Sequence, residues 1–232
     1  MRVADIRGPD ESGRAGGLAY ALYLPDGEPL GGVVVLHGAG SRKESHLDFA
    51  RRCAAHGIAA VSFDLRGHGE SEGALDGRAV ADVATMAAVL PPGPVGLRGS
   101  SLGGYLALVA AEAVGAAAVV AICPATADGL ARGLAEGRFD LRADVPALDA
   151  FLAEHPADEA AAHLRCPLLL LHAEGDESVP IAHSRLLHER AAGSRLVEVP
   201  GGHHRSIQHD DDLQALSVRF LQRAFRDATG TA

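Results

Sequence analysis

The sequence predicts an α/β fold built on a mostly parallel sheet with helices on both faces, and three observations predict it. Short apolar runs bounded by Gly or Pro alternate along the chain with longer Ala/Leu/charge stretches of helical spacing. Several runs, such as Val33–Leu36 and Leu168–Leu171, are apolar at every position, as strands covered on both sides must be. The unusual residues gather just after these runs, where an open parallel sheet binds its ligands.

Taken in order, Val3–Arg7 and Gly17–Leu24 read as an antiparallel pair at the sheet edge, the second ending on the turn Pro25-Asp26-Gly27. Val33–Leu36 reads as a central strand, and Glu44–His56 as a helix stopped by Gly57. Ile58–Phe63 is the next strand and Ala79–Leu90 the next helix, closed by Pro91-Pro92. Val95–Arg98 is a short strand feeding a turn. Leu102–Val114 is a helix almost without charge, hence expected in the interior. Ala118–Cys123 follows as a strand. After Pro124 the alternation stops, and residues 125–165 hold helical fragments (Gly129–Glu136, Pro146–His155, Ala157–His163) but no strand. It resumes with strand Leu168–His172, helix Ile181–Ala192, strand Arg195–Val199 and helix Asp211–Asp227. Residues 1–232 thus read as a single domain, with 125–165 inserted between two strands as a small helical cap.

The charge balance narrows the partners. Lys+Arg number 21 against 30 Asp+Glu, a net charge of −9. An acidic surface repels phosphate backbones, so no nucleic-acid partner is expected. The longest apolar stretches, Ala116–Cys123 and Leu168–Leu171, fall far short of the ~20 residues of a membrane helix, so no membrane span is expected. The polar start MRVADIRGPDESGRAGG has no apolar signal region, and a cytoplasmic location is the default expectation. Cys53, Cys123 and Cys166 are far apart, form no CxxC, and read as small apolar core residues suited to a reducing compartment. The histidine groups His203-His204 with His209, and His183 with His188, lack a converging Cys or carboxylate set at metal spacing. No metal site is predicted. Neither G-x-G-x-x-G nor a P-loop occurs, so no cofactor is expected either. No oligomeric state is assigned.

The strongest local signal is Gly99-Ser100-Ser101-Leu102-Gly103-Gly104, between an apolar strand and an apolar helix. G-x-S-x-G alone is weak in a chain with 28 glycines; the strand–turn–helix context makes it specific. A serine there sits on a sharp turn at a helix N-terminus, where free N–H groups favour developing negative charge. The glycines flank Ser101 symmetrically, which selects it over Ser100 as nucleophile. A serine hydroxyl needs a base, and the base an orienting acid. Asp176 follows a glycine in the loop after Leu168–His172, with Glu174 and Glu177 as competing acids. Arg195–Val199 runs into Pro200-Gly201-Gly202-His203-His204, which offers two candidate bases, His203 and His204. An oxyanion would need two N–H donors. Leu102, next after the nucleophile, supplies one, and Ala39 in His37-Gly38-Ala39-Gly40 the other. His37, Asp64, Arg66 and His68 read as structural loop ties.

These segments carry a resemblance. LHGAGSRKE, FDLRGHGES, GSSLGG, GDESVP and PGGHH, in that order at strand ends, resemble the α/β-hydrolase family over about residues 30–225. The resemblance implies the α/β-hydrolase fold and the triad Ser101, Asp176 and His204, with His204 preferred because it falls where the family keeps its base. His203 stands where the family has a small or acidic residue, so the choice between the two stays open on sequence. With serine as nucleophile, the resemblance implies an acyl-enzyme hydrolase of a small ester or related substrate. It looks closest to small bacterial esterases of the dienelactone-hydrolase-like branch. Thioesterase, acyltransferase or peptidase chemistry on the same triad, and a silent ligand-binding role, are the alternatives. Phe139, Leu141 and Leu148 are candidate acyl-pocket residues, and Arg138 or Arg142 candidate contacts to an anionic group.

Overall fold

A computed structural model describes residues 6–230. Among these residues, eight strands form one sheet: β1 (Glu11–Ala15), β2 (Leu18–Tyr23), β3 (Gly32–Leu36), β4 (Ala59–Phe63), β5 (Val95–Ser100), β6 (Ala118–Ile122), β7 (Leu168–Ala173) and β8 (Arg195–Val199). Their order is β1-β2-β4-β3-β5-β6-β7-β8. β1–β2 and β2–β4 are antiparallel; the remaining pairs are parallel, as the alternating pattern predicts for them.

The helices are α1 (Leu47–Ala55), α2 (Ala79–Ala87), α3 (Leu102–Val109), α4 (Ala127–Ala135), α5 (Val145–Glu154), α6 (Ala157–His163), α7 (Ile181–Arg190) and α8 (Asp211–Thr229). Strand pleating sorts them into two layers. Val34 and Leu36 of β3 face a layer containing Met86 of α2, Leu106 of α3 and Leu187 of α7. Val33 and Val35 face the other, with Phe49 of α1 and Leu221 and Phe225 of α8. Both sides of β3 are fully covered, which explains a strand apolar at every position.

The edge differs from the sequence expectation. Residues 3–5 of the expected strand Val3–Arg7 lie outside the described residues, and the strand paired with β2 is β1. Ala15 pairs with Leu18 across a two-residue turn in which Gly16 and Gly17 both have positive φ, 58° and 80°. That is the geometry of the favoured type I′ hairpin turn. The strand ESGRA escapes pattern reading because it is exposed or half-buried and has no apolar alternation.

Other elements are found where expected, with shifted ends. The helix expected from Glu44 begins as a 3-10 turn, Lys43–His46, before α1. α3 ends at Val109, and the chain continues to Gly115 through turns closed by Ala116 N–H to the Ala111 carbonyl at 2.9 Å. Between β6 and β7 lie α4, α5 and α6 and no strand, as expected for 125–165. Thr126 caps α4 by accepting the Gly129 N–H, and Asp144 caps α5 by accepting that of Ala147. Leu130, Leu148, Phe151 and Leu152 from these helices are buried in the same layer as α3. The three cysteines are free thiols. Among the described residues, no helix is long and apolar enough to cross a membrane.

Candidate active site

β5 passes into α3 through a single residue, Ser101, whose φ of 55° and ψ of −116° are strained for a side-chain-bearing residue. The glycines on either side are required by contact. A Cβ at Gly99 would lie 2.0 Å from the Gly103 carbonyl oxygen, and one at Gly103 2.2 Å from that of Leu36. Rigid backbone stands at both points, so neither clash can be relieved by a rotamer change. Gly103→Ala is therefore expected to destabilise the fold by about 3 kcal/mol, read as a lowered urea midpoint. An unchanged midpoint would contradict this packing.

The Ser101 turn is held by Ser101 N–H to the Ile122 carbonyl at 2.9 Å and by Tyr105 N–H to its own carbonyl at 3.0 Å. Its hydroxyl makes no hydrogen bond among the described residues. The predicted oxyanion loop runs alongside: a Cβ on Gly38 would sit 3.3 Å from that of Ser101. The N–H groups of Ala39 and Leu102 are unpaired among the described residues. Two neutral imidazoles brace this loop. His37 Nε2 accepts the Leu65 N–H at 2.9 Å, so its Nδ1 donates to the Gly38 carbonyl at 2.8 Å. His68 Nε2 accepts the Gly40 N–H at 3.1 Å. Burial above all lowers the His37 pKa to about 3, which keeps the ring neutral and structural.

Asp64 holds the next loop. Its buried carboxylate accepts the Lys43 N–H at 2.7 Å, the Glu70 N–H at 2.9 Å and the Lys43 ammonium at 3.0 Å. Burial opposes its charge, but these donors hold its pKa below the usual value. Arg66 forms a fork with Asp82 at 2.9 and 2.5 Å. Asp64, Arg66 and His68 thus sit where the structural reading expected them, in loop-to-loop ties.

The candidate acid and the loop bearing the two candidate bases meet beyond β7 and β8. His204 Nδ1 donates to Asp176 Oδ2 at 2.7 Å, and Ser178 and Val179 N–H groups donate to Oδ1 at 2.8 and 2.9 Å. The Asp176 side chain is fully buried. Burial works to raise its pKa, but hydrogen bonds from His204, Val179 and the Cys123 thiol outweigh it and hold the carboxyl at about 2. Asp176 is the only one of the three competing acids bonded to a histidine among the described residues, Glu174 and Glu177 being exposed. His203 is exposed and turned to its own loop, where Nδ1 accepts the Arg205 N–H at 3.4 Å. Of the two candidate bases, His204 is the one joined to the acid.

Cys123 links the two halves. It follows β6, next to the Ser101 turn, and has positive φ, 42°. Its Sγ, an Asp176 oxygen and a His204 nitrogen lie within 4.8 Å of one another. On sequence Cys123 reads as a small apolar core residue with no partner; the structure differs, because the fold brings the Asp176 and His204 loops to the end of β6. Burial above all, and the Asp176 charge, raise the thiol pKa, so it stays protonated and donates to the carboxylate. The trio is thus a hydrogen-bonded cluster in which both Cys123 and His204 spend their protons on Asp176. His172 is a second residue that pattern reading missed. Fully buried, it bonds the Val179 carbonyl at 2.9 Å and Ser184 Oγ at 2.7 Å, pinning the acid's loop.

Beside Ala39 and Leu102 lies an apolar slot lined by Leu130, Phe139, Leu141 and Leu148, with a free volume of only about 10 Å³. All three sequence candidates for an acyl pocket are in it. The two arginine candidates are not: Arg138 pairs with Glu136, and Arg142 donates to the Ser71 carbonyl at 2.8 Å beside a separate polar cleft.

Two family models match the chain: one described as "Serine aminopeptidase, S33" over residues 27–143, and one described as "TAP-like protein" over residues 150–232. The chain is 28% identical to a monoacylglycerol lipase of Mycolicibacterium smegmatis, over 86% of this chain and 90% of that one. It is 30% identical to the human protein ABHD12B, over 95% of this chain and 68% of that one. Est1E from Butyrivibrio proteoclasticus, solved with ferulic acid bound, matches at a TM-score of 0.71 and 20% identity over 94% of this chain and 98% of its own, a likeness of fold. The dienelactone-hydrolase-like branch favoured on motifs is thereby corrected to the serine aminopeptidase and monoacylglycerol lipase side. The strand-end motifs that carry the resemblance are common to the fold and so do not sort branches.

Proposed function

Because the chain belongs to the α/β-hydrolase family, on the branch described as serine aminopeptidase S33, we propose that it is a serine hydrolase cleaving an ester bond of a small substrate with an apolar acyl group. The observation that carries this reading is the 2.7 Å bond from His204 Nδ1 to buried Asp176, made beyond the strand ends beside Cys123, whose chain neighbour Ile122 accepts the N–H of the strained Ser101. In the proposed mechanism His204 Nε2 takes the Ser101 proton as the hydroxyl oxygen attacks the carbonyl, and Asp176 stabilises the imidazolium. The N–H groups of Ala39 and Leu102 hold the oxyanion. Return of the proton to the leaving alcohol gives an acyl-enzyme, and water activated by His204 releases the acid. The Ser101 hydroxyl is not yet bonded to a base, and such bonds often tighten only with substrate present.

An ester is favoured over a peptide by the slot beside the oxyanion donors. Its lining is apolar throughout, whereas an aminopeptidase must pair its substrate's ammonium with a carboxylate. The monoacylglycerol lipase relative points the same way. We read residues 125–165 as the cap, and α4 and α5 must part for an acyl chain to enter a slot of about 10 Å³.

The test is labelling with a fluorophosphonate, read by intact mass and peptide mapping. One adduct on Ser101 is expected, abolished in His204→Ala and retained at near-parental rate in His203→Ala. Hydrolysis of a p-nitrophenyl ester series should accompany it. Absence of an adduct on folded protein would overturn the proposal, and loss in His203→Ala alone would exchange the two histidines.

A further inference from the structure

We propose that Arg98, which lies outside the reacting groups, is a positioning residue that ties the His204-bearing loop to the strand bearing Ser101. This rests on the reading of Ser101 and His204 given above. Arg98 is on β5, three residues before Ser101, and its side chain enters the layer between β5 and helices α1 and α8. It is 1% exposed, the largest fully buried side chain among the described residues. Its guanidinium lies 3.8 Å over the Phe49 ring. No carboxylate forms an ion pair with it among the described residues, and its Nε has no partner. Asp48, whose charge bears on Arg98 from a distance, takes His209 Nδ1 at 2.9 Å and Gln214 Nε2 at 2.7 Å on Oδ2, while its Oδ1 has no partner and forms no ion pair with the guanidinium among the described residues.

A buried cation without a counter-ion is costly, and an apolar side chain of similar size would fit this layer at lower free energy. Burial lowers the guanidinium pKa to about 10, so the charge persists at neutral pH. What the charge gains is a charge-assisted hydrogen bond, from Nη2 to the Gln208 carbonyl at 2.9 Å. Gln208 stands four residues past His204, at the far end of a folded segment. Ser206 closes the near end: its Oγ donates to the His203 carbonyl at 2.8 Å and accepts the His203 N–H at 2.9 Å. His204 therefore sits on a short arch fixed at one side by Asp176 and at the other by Arg98. The Gln208 carbonyl has a second, neutral donor in Gln214 Nε2 at 3.1 Å. Removing Arg98 thus leaves no buried acceptor orphaned, and the fold has no reason to fail.

Arg98→Met separates positioning from bulk stability. The melting temperature should stay level or rise, because an unpaired buried charge is replaced by a side chain that fits the layer. With p-nitrophenyl butyrate, kcat should fall about tenfold or more while KM stays within about twofold, and fluorophosphonate labelling of Ser101 should slow by the same factor as kcat. A residue that serves only packing would do the reverse: a lower melting temperature with kcat unchanged. That result, or kcat within about twofold of the parent in folded protein, overturns the inference. If Arg98→Met does not fold, Arg98→Lys gives the same decision. It keeps the charge but lacks the planar fork, and kcat should fall about fivefold or more at constant KM. Ser101→Ala and His204→Ala run alongside: activity surviving in them removes the triad reading, whereas their loss with a fully active Arg98→Met removes this inference alone.

Discussion

Ser101→Ala should lower kcat/KM toward p-nitrophenyl esters by about four to six orders of magnitude and leave the fold in place. The hydroxyl is bonded to nothing among the described residues, so its removal orphans no partner. What remains is the backbone problem, a φ of 55° forced on a residue with a Cβ. Ser101→Gly removes that strain and should be equally inactive yet more stable than the parent by about 1 kcal/mol. Activity should therefore be lost in both variants, while the urea midpoint rises only in Ser101→Gly. Strain held where chemistry needs a side chain lifted clear predicts that separation; a plain helix cap does not. If Ser101→Ala kept more than about one per cent of activity, the nucleophile would lie elsewhere, and buried Ser100 would have to be tested next.

The legible parts of this molecule are those whose cause is local. The Ser101 turn can be read because its two glycines are demanded by backbone contacts a few residues away in sequence or in the next strand. β3 can be read because being covered on both faces requires an apolar residue at every position. The edge strand β1 cannot, since ESGRA buries nothing that would impose a period, although the Gly16-Gly17 turn beside it carries a hairpin signal. His203 and His204 follow the same Gly-Gly turn and differ only in direction. The 2.7 Å bond to Asp176, from a loop 28 positions away, is what separates them. Cys123 and Arg98 are legible only in three dimensions. Each looks ordinary in its strand, and each acquires a role from a partner on another loop, Asp176 for the thiol and Gln208 for the guanidinium.

Asp176→Asn should cost about four orders of magnitude in kcat, and the reason is the direction of one proton. The Ser178 and Val179 N–H groups fix an oxygen at the Oδ1 position. An asparagine must keep its only oxygen there, which turns its NH₂ toward His204 Nδ1. Nδ1 then has to accept, the ring proton moves to Nε2, and Nε2 can no longer take a proton from Ser101. The same substitution tests the electrostatics. Asp176 has a folded pKa of about 2, below its ordinary value of 3.8. A depressed carboxyl stabilises the fold above the unfolded pKa, and that contribution is lost as pH falls through the folded one. The carboxylate should thus contribute about 2 kcal/mol at pH ~5, most of it gone by pH ~2. Urea unfolding of parent and Asp176→Asn at these two pH values should show the parent losing more stability by about that amount. Parallel losses would mean that Asp176 is not held ionised in the fold. If kcat also stayed within about tenfold of the parent, the ring of His204 would have to be oriented by another acid, and exposed Glu174 and Glu177 would be the residues to substitute.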